Sequence, residues 1–136
     1  MTKQVGGYDM SLILVIDDQP GIRRLLKEVL TDSGYQVATA ANGYEGVQKA
    51  KELSPVLILM DMKMPGMDGI QTLKELRRVG IKGTVLMMTA YGELNLVEEA
   101  KANGAIDYLT KPFDIIQLSQ QIEEYVYSTG VKRKIV

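Results

Sequence analysis

Four short apolar runs in this chain each stop at a residue able to handle charge. Residues 12–16 are followed by Asp17 and Asp18, 56–60 by Asp61, 84–88 by Thr89, and 107–110 by Lys111. Runs this short read as buried strands, and helical patterns lie between them. Alternating strands and helices joined by short loops imply a parallel sheet with helices on both faces. Strand ends on one edge of such a sheet lie close together, however far apart they are in sequence. A carboxylate cluster, a hydroxyl and an ammonium group are thereby gathered at one edge, a set suited to a divalent metal and a phosphoryl group.

Composition narrows the chemistry further. The chain has no cysteine and no histidine. Disulfides, thiolate catalysis, zinc ribbons, histidine triads and histidine-ligated metals are all excluded, and any bound metal must be a hard cation on oxygen ligands. The net charge of −1 lacks the basic excess of a nucleic-acid binder, so no nucleic-acid partner is expected. No segment approaches the roughly 18 apolar residues that cross a bilayer, and 12–16 is too short for a signal-peptide core. The expectation is a cytoplasmic protein with no membrane partner. At 136 residues the chain is one domain, assigned to 10–129. Residues 1–9, with Gly6 and Gly7, and residues 130–136 are expected to be flexible tails, the first either native or a cloning remnant.

The pattern predicts a strand over 12–16, a helix over 21–32 stopped by Ser33 and Gly34, and a strand over 36–40. Asn42 caps a second helix that ends near Leu53, before Pro55. Asn42-Gly43 is also a hairpin signal, but the helical spacing of Val47, Ala50 and Leu53 argues against that. A strand over 56–60, a helix over 69–78, a strand over 84–88 and a helix over 94–102 follow. A short strand over 108–110 and a helix over 115–127 complete five βα units. The expected fold is α/β, flavodoxin-like and doubly wound (βα)5, with a five-stranded parallel sheet of order 2-1-3-4-5. In that order strands one and three are neighbours at the switch point, and they are the strands ending in Asp17-Asp18 and Asp61. Two carboxylates about 4 Å apart repel by roughly 4 kcal/mol at an effective dielectric near 20. Left bare, three at one edge would oppose folding, whereas Mg²⁺ would remove the repulsion.

Asp17-Asp18, then Met60-Asp61-Met62-Lys63-Met64-Pro65-Gly66-Met67-Asp68-Gly69, then Met88-Thr89-Ala90-Tyr91, then Lys111-Pro112-Phe113 resemble the receiver domains of bacterial two-component response regulators. The match covers about 10–128. Singly these motifs are weak; together, in order, they are specific. Ala41-Asn42-Gly43, Gly92-Glu93-Leu94 and Asp114-Ile115 add a closer likeness to the single-domain regulators of sporulation phosphorelays.

The resemblance implies that Asp61 takes a phosphoryl group from a phosphohistidine, forming an acyl phosphate. Asp18, Asp61 and the main-chain carbonyl of Lys63 would ligate Mg²⁺, with Mn²⁺ the alternative ion, and Asp17 would act through a metal-bound water. Lys111 would pair with a phosphoryl oxygen and Thr89 would hydrogen-bond another. The implied partners are a sensor histidine kinase, a histidine phosphotransferase with a helical bundle, and an aspartyl-phosphate phosphatase. Pro112 has a cis bond in the family, while trans is the default from sequence. Tyr108 stands where receivers often carry an aromatic switch; it departs from the histidine of the sporulation branch, and a half-buried strand tyrosine is the plainer reading.

Each residue has a bland reading too: Asp-Asp as a helix start, Asp61 as a turn, Thr89 as a cap, Lys111 as a surface lysine. Those readings need coincidences at every strand end. Asp68 keeps its bland reading, as the cap of the third helix. A docking rim is expected from Gln19, Pro20, Gly21, Ile22, Leu25, Tyr91, Pro112, Phe113 and Asp114. The apolar residues of the first helix (Ile22, Leu25, Leu26, Val29, Leu30) span about 140° at 100° per residue, so Ile22 and Leu25 lie either at a contact fringe or in the core. Strand methionines are expected to fill the core, while the loop methionines 62, 64 and 67 could form an adaptable surface. Lys63 and Tyr91 are expected to shield an acyl phosphate from water. Two functions remain: a phosphotransfer intermediate, probed by reverse transfer to a histidine protein, or a phosphorylation-switched binding module. A haloacid-dehalogenase-like phosphatase would need Asp-x-Asp, and the chain has Asp61-Met62-Lys63. No output domain is expected after the last helix.

Overall fold

The computed structural model describes residues 11–128; the expected tails lie outside them. Five parallel strands, β1 (Leu12–Ile16), β2 (Gln36–Ala40), β3 (Leu57–Asp61), β4 (Thr84–Thr89) and β5 (Ala105–Thr110), form one sheet in the order β2-β1-β3-β4-β5. Between them run α1 (Pro20–Asp32), α2 (Gly43–Leu53), α3 (Gly69–Arg78), a 3₁₀ helix (Tyr91–Leu96) leading into α4 (Val97–Ala102), and a final α5 (Ile115–Ser128). This is the flavodoxin-like doubly wound arrangement expected from the alternation of patterns.

The three central strands are apolar along their middles because both of their faces are covered. Successive side chains of a strand point to opposite faces. Ile13, Val15, Leu57, Leu59, Leu86 and Met88 pack with Leu26 and Leu30 of α1 and Leu118 and Ile122 of α5. Leu14, Ile16, Ile58, Met60, Val85 and Met87 pack with Val47 and Ala50 of α2 and Leu73 and Leu76 of α3. Two cores therefore clamp one sheet.

Local signals set the helix starts. Pro20 occupies the first turn of α1, where a missing N–H breaks no intrahelical bond. The Asn42 side chain accepts the Glu45 N–H at 2.8 Å, so Asn42-Gly43 opens α2 and forms no hairpin. Asp68 and Gln71 make a reciprocal capping box at 2.8 and 2.9 Å, in keeping with Asp68 as a cap.

Several boundaries differ from those read in the sequence. β3 is shifted by one residue, and β4 extends to Thr89, so Asp61 and Thr89 are the last residues of strands and do not follow them. β5 begins at Ala105 and not at 108. It is an edge strand, and exposed Ile106 beside Asp107 blurred its apolar signal. The helix expected from 94 begins at Val97; the 91–96 segment contains Gly92 and Asn95, poor helix formers, and winds as a 3₁₀ turn. Met62 and Met64 are buried in the core rather than forming a surface, and Met67 is half-buried against it.

At the amino-terminal edge of the sheet, the Arg77 guanidinium donates to the carbonyls of Ile81 at 2.8 Å, Gly83 at 3.0 Å and Gly104 at 3.1 Å. It ties together the loops that lead into β4 and β5. No helix among the described residues is long and apolar enough to cross a membrane.

Candidate functional site

Strand register builds the site at the opposite, carboxyl-terminal edge. Ile16 of β1 stands beside Met60 of β3, so the next residues, Asp17 and Asp61, are brought together. Asp61 in turn stands beside Met88, and Thr89 beside Thr110, the residue before Lys111. Asp17 is fully buried, Asp61 is 6% exposed and Asp18 is half-buried. Each of these three offers a carboxylate oxygen, and the three oxygens lie within 4.8 Å of one another. An all-oxygen, anionic donor set at this spacing fits a hard divalent cation such as Mg²⁺.

Three carboxylates this close repel one another unless a cation lies with them. In the structure Lys111 already lies among them: its Nζ donates to Asp17 Oδ2 at 2.8 Å, Asp61 Oδ1 at 3.1 Å and Gln19 Oε1 at 3.2 Å. Burial disfavours the lysine charge, but Asp17 and Asp61 outweigh it and hold Lys111 above the ordinary lysine range. Burial and the neighbouring Asp17 charge push Asp61 up to about 7, against the pull of Lys111. The Lys111-Pro112 bond is cis, contrary to the sequence default and as the resemblance implied.

Thr89 is fully buried, and its hydroxyl lies 3.2 Å from the Ala90 carbonyl and 3.5 Å from Glu93 Oε1. Lys63, two residues after Asp61, and Tyr91, two after Thr89, are exposed. Tyr108 is half-buried and packs against the core on the α2–α3 face. On the expected rim Gln19, Pro20, Gly21, Leu25, Tyr91, Pro112 and Asp114 are exposed. Ile22 and Phe113 are half-buried against the α1–α5 core. Leu25 is 37% exposed and so belongs to the fringe of α1.

Three residues make contacts at the site that the strand-end pattern does not announce. Gln19 was assigned to the rim, yet its amide touches Lys111 and its N–H donates to Asp17 Oδ1 at 2.9 Å. Arg23 donates to the Asp17 carbonyl at 2.7 Å and fixes the turn after β1. Glu93 accepts the Ala90 N–H at 3.0 Å. Only Glu93 had a local signal, an acid three residues beyond a helix start.

A parallel sheet in this order, with acids, a threonine and a lysine at its carboxyl edge, defines the receiver domains of response regulators, which accept phosphoryl groups on aspartate and bind Mg²⁺ through an acidic cluster. The chain belongs to this family: residues 13–123 match the response regulator receiver domain. It is 45% identical to sporulation initiation phosphotransferase F of Bacillus subtilis (strain 168) over 114 residues, covering 84% of this chain and 92% of that protein. It is 40% identical to chemotaxis protein CheY of Thermotoga maritima over 102 residues, covering 74% of this chain and 85% of that one. The structure of Vibrio cholerae chemotaxis protein CheY4 superposes with a TM-score of 0.80 at 33% identity, covering 85% of this chain and 98% of that chain.

Proposed function

We propose that this receiver domain is a phosphorelay intermediate acting in the initiation of sporulation, with Asp61 as its phosphoacceptor. The observation that carries the reading is the meeting of Asp17, Asp18 and Asp61 with the Lys111 ammonium in one cluster at the carboxyl-terminal edge of the sheet. The similarity to sporulation initiation phosphotransferase F, which covers 84% of this chain and 92% of that protein, supports the choice of pathway.

A histidine of a sensor kinase supplies the phosphoryl group, since this chain has no histidine. An Asp61 carboxylate oxygen attacks phosphorus. The N–P bond breaks, its electron pair stays on the imidazole nitrogen, and that nitrogen takes up a proton. Lys111 leaves the Asp61 oxygen for a phosphoryl oxygen, and Thr89 turns its hydroxyl to another. Asp18, Asp61 and the Lys63 carbonyl would hold Mg²⁺, and Asp17 would act through a metal-bound water; the ion would supply neutralisation of charge on the transferring group. A histidine phosphotransferase with a helical bundle, docking on the rim from Gln19 to Leu25 with Tyr91 and residues 112–114, receives the group by the reverse step. An aspartyl-phosphate phosphatase would compete for the same rim.

The test is incubation with acetyl phosphate and Mg²⁺. Wild type is expected to gain one phosphoryl group and Asp61→Asn none; equal labelling of both would end the proposal. The likeness to chemotaxis proteins favours a second reading, a binding module switched by phosphorylation without onward transfer. Transfer from the labelled protein to a purified histidine phosphotransferase selects the relay, and its failure selects the module.

A further inference from the structure

The hydroxyl of Thr89 is buried beside two acceptors, both on the segment that follows β4: the Ala90 carbonyl and Glu93 Oε1. The same Glu93 oxygen accepts the Ala90 N–H at 3.0 Å and so caps the 3₁₀ helix. One carboxylate oxygen thus joins the threonine hydroxyl to the first turn of that helix. We propose that Glu93 is a positioning residue for Thr89, holding its hydroxyl on the helix side while Asp61 is unmodified and yielding it once Asp61 carries a phosphoryl group.

The inference rests on Asp61 being the phosphoacceptor. A hydroxyl has one proton to donate, so Glu93, the Ala90 carbonyl and a phosphoryl oxygen compete for it. The 3.5 Å separation is long for an O–H···O bond, which makes the hold breakable. A ligand that needs a particular rotamer binds with an apparent affinity reduced by the fraction of molecules that lack it. Glu93 sets that fraction. Because the same oxygen accepts the Ala90 N–H, release of Thr89 leaves that oxygen to the cap alone at the start of the 3₁₀ helix, whose first residue is Tyr91, 76% exposed. The state of the buried aspartate is carried in this way to an exposed aromatic side chain.

Glu93→Gln keeps an amide oxygen for the Ala90 N–H but removes the charge, and Glu93→Ala removes both. The probe is beryllofluoride with Mg²⁺, an aspartyl-phosphate mimic, followed by calorimetry and by the Thr89 methyl resonance. In both variants without the probe, the resonance is expected to move toward its position in probe-saturated wild type, further in the alanine variant. Probe affinity is expected to rise about fivefold. The proposal is overturned if either readout stays at the wild-type value in the glutamine variant, or if only Glu93→Ala responds and does so with a fall in melting temperature, which is the mark of a lost cap. Failure of wild type to bind the probe would overturn the phosphoacceptor reading itself, and it would show before any Glu93 variant is compared.

Discussion

Asp61 is placed where opposing forces meet: burial and Asp17 favour its protonated form, and Lys111 favours its anion. With a folded pKa of about 7 against an ordinary 3.8, the native state holds a proton that the unfolded chain has released. Metal-free stability therefore declines as pH rises from about 4 to about 7 and levels off above, by on the order of 3 kcal/mol. Urea denaturation in chelator from pH 5 to 8 should show this decline in wild type, and a much flatter profile in Asp61→Asn. Equal slopes would mean that another group carries the conflict. At this scale the sequence was legible where a side chain lies at a strand end, as for Asp17, Asp61, Thr89 and Lys111. It was silent where a contact crosses the fold: nothing local to Gln19 announces Lys111, which is 92 residues away.

Among the elements, the start of α3 packs closely on the backbone at the end of β3. A Cβ on Gly69 would sit 2.4 Å from the Asp61 carbonyl oxygen and 2.9 Å from the Cα and carbonyl oxygen of Met62, all of them backbone atoms. Either α3 or the end of β3 must shift to admit it. Gly69→Ala is expected to cost about 2 kcal/mol in stability and to weaken Mg²⁺-beryllofluoride binding roughly tenfold. Gly21→Ala, where an added Cβ meets nothing within 4 Å, is the control for both measurements. Retained binding in Gly69→Ala would show that the site tolerates the shift. The periodicity of α1, α2, α3 and α5 was legible because each buries one continuous stripe. The 3₁₀ segment and the edge strand β5 were not, since their hydrogen bonding, rather than an apolar period, defines them.

For the molecule as a whole, the two edges of the sheet have different tasks. The amino-terminal edge is pinned by Arg77 through three carbonyls, and the carboxyl-terminal edge carries the chemistry. Arg77→Leu would strip those carbonyls of their partner and cost about 2 kcal/mol in denaturation, with beryllofluoride affinity unchanged. A matching loss of affinity would show that the two edges are coupled. The order of the strands was legible because alternation and strand-end chemistry both placed β1 beside β3. The width of the acidic pocket follows from that adjacency, because neighbouring strands are spaced at about 4.8 Å whatever side chains they carry. The backbone lattice thus acts as a ruler between Asp17 and Asp61, and the loops that carry Asp18 and Lys63 are left to trim the cluster around that fixed gauge.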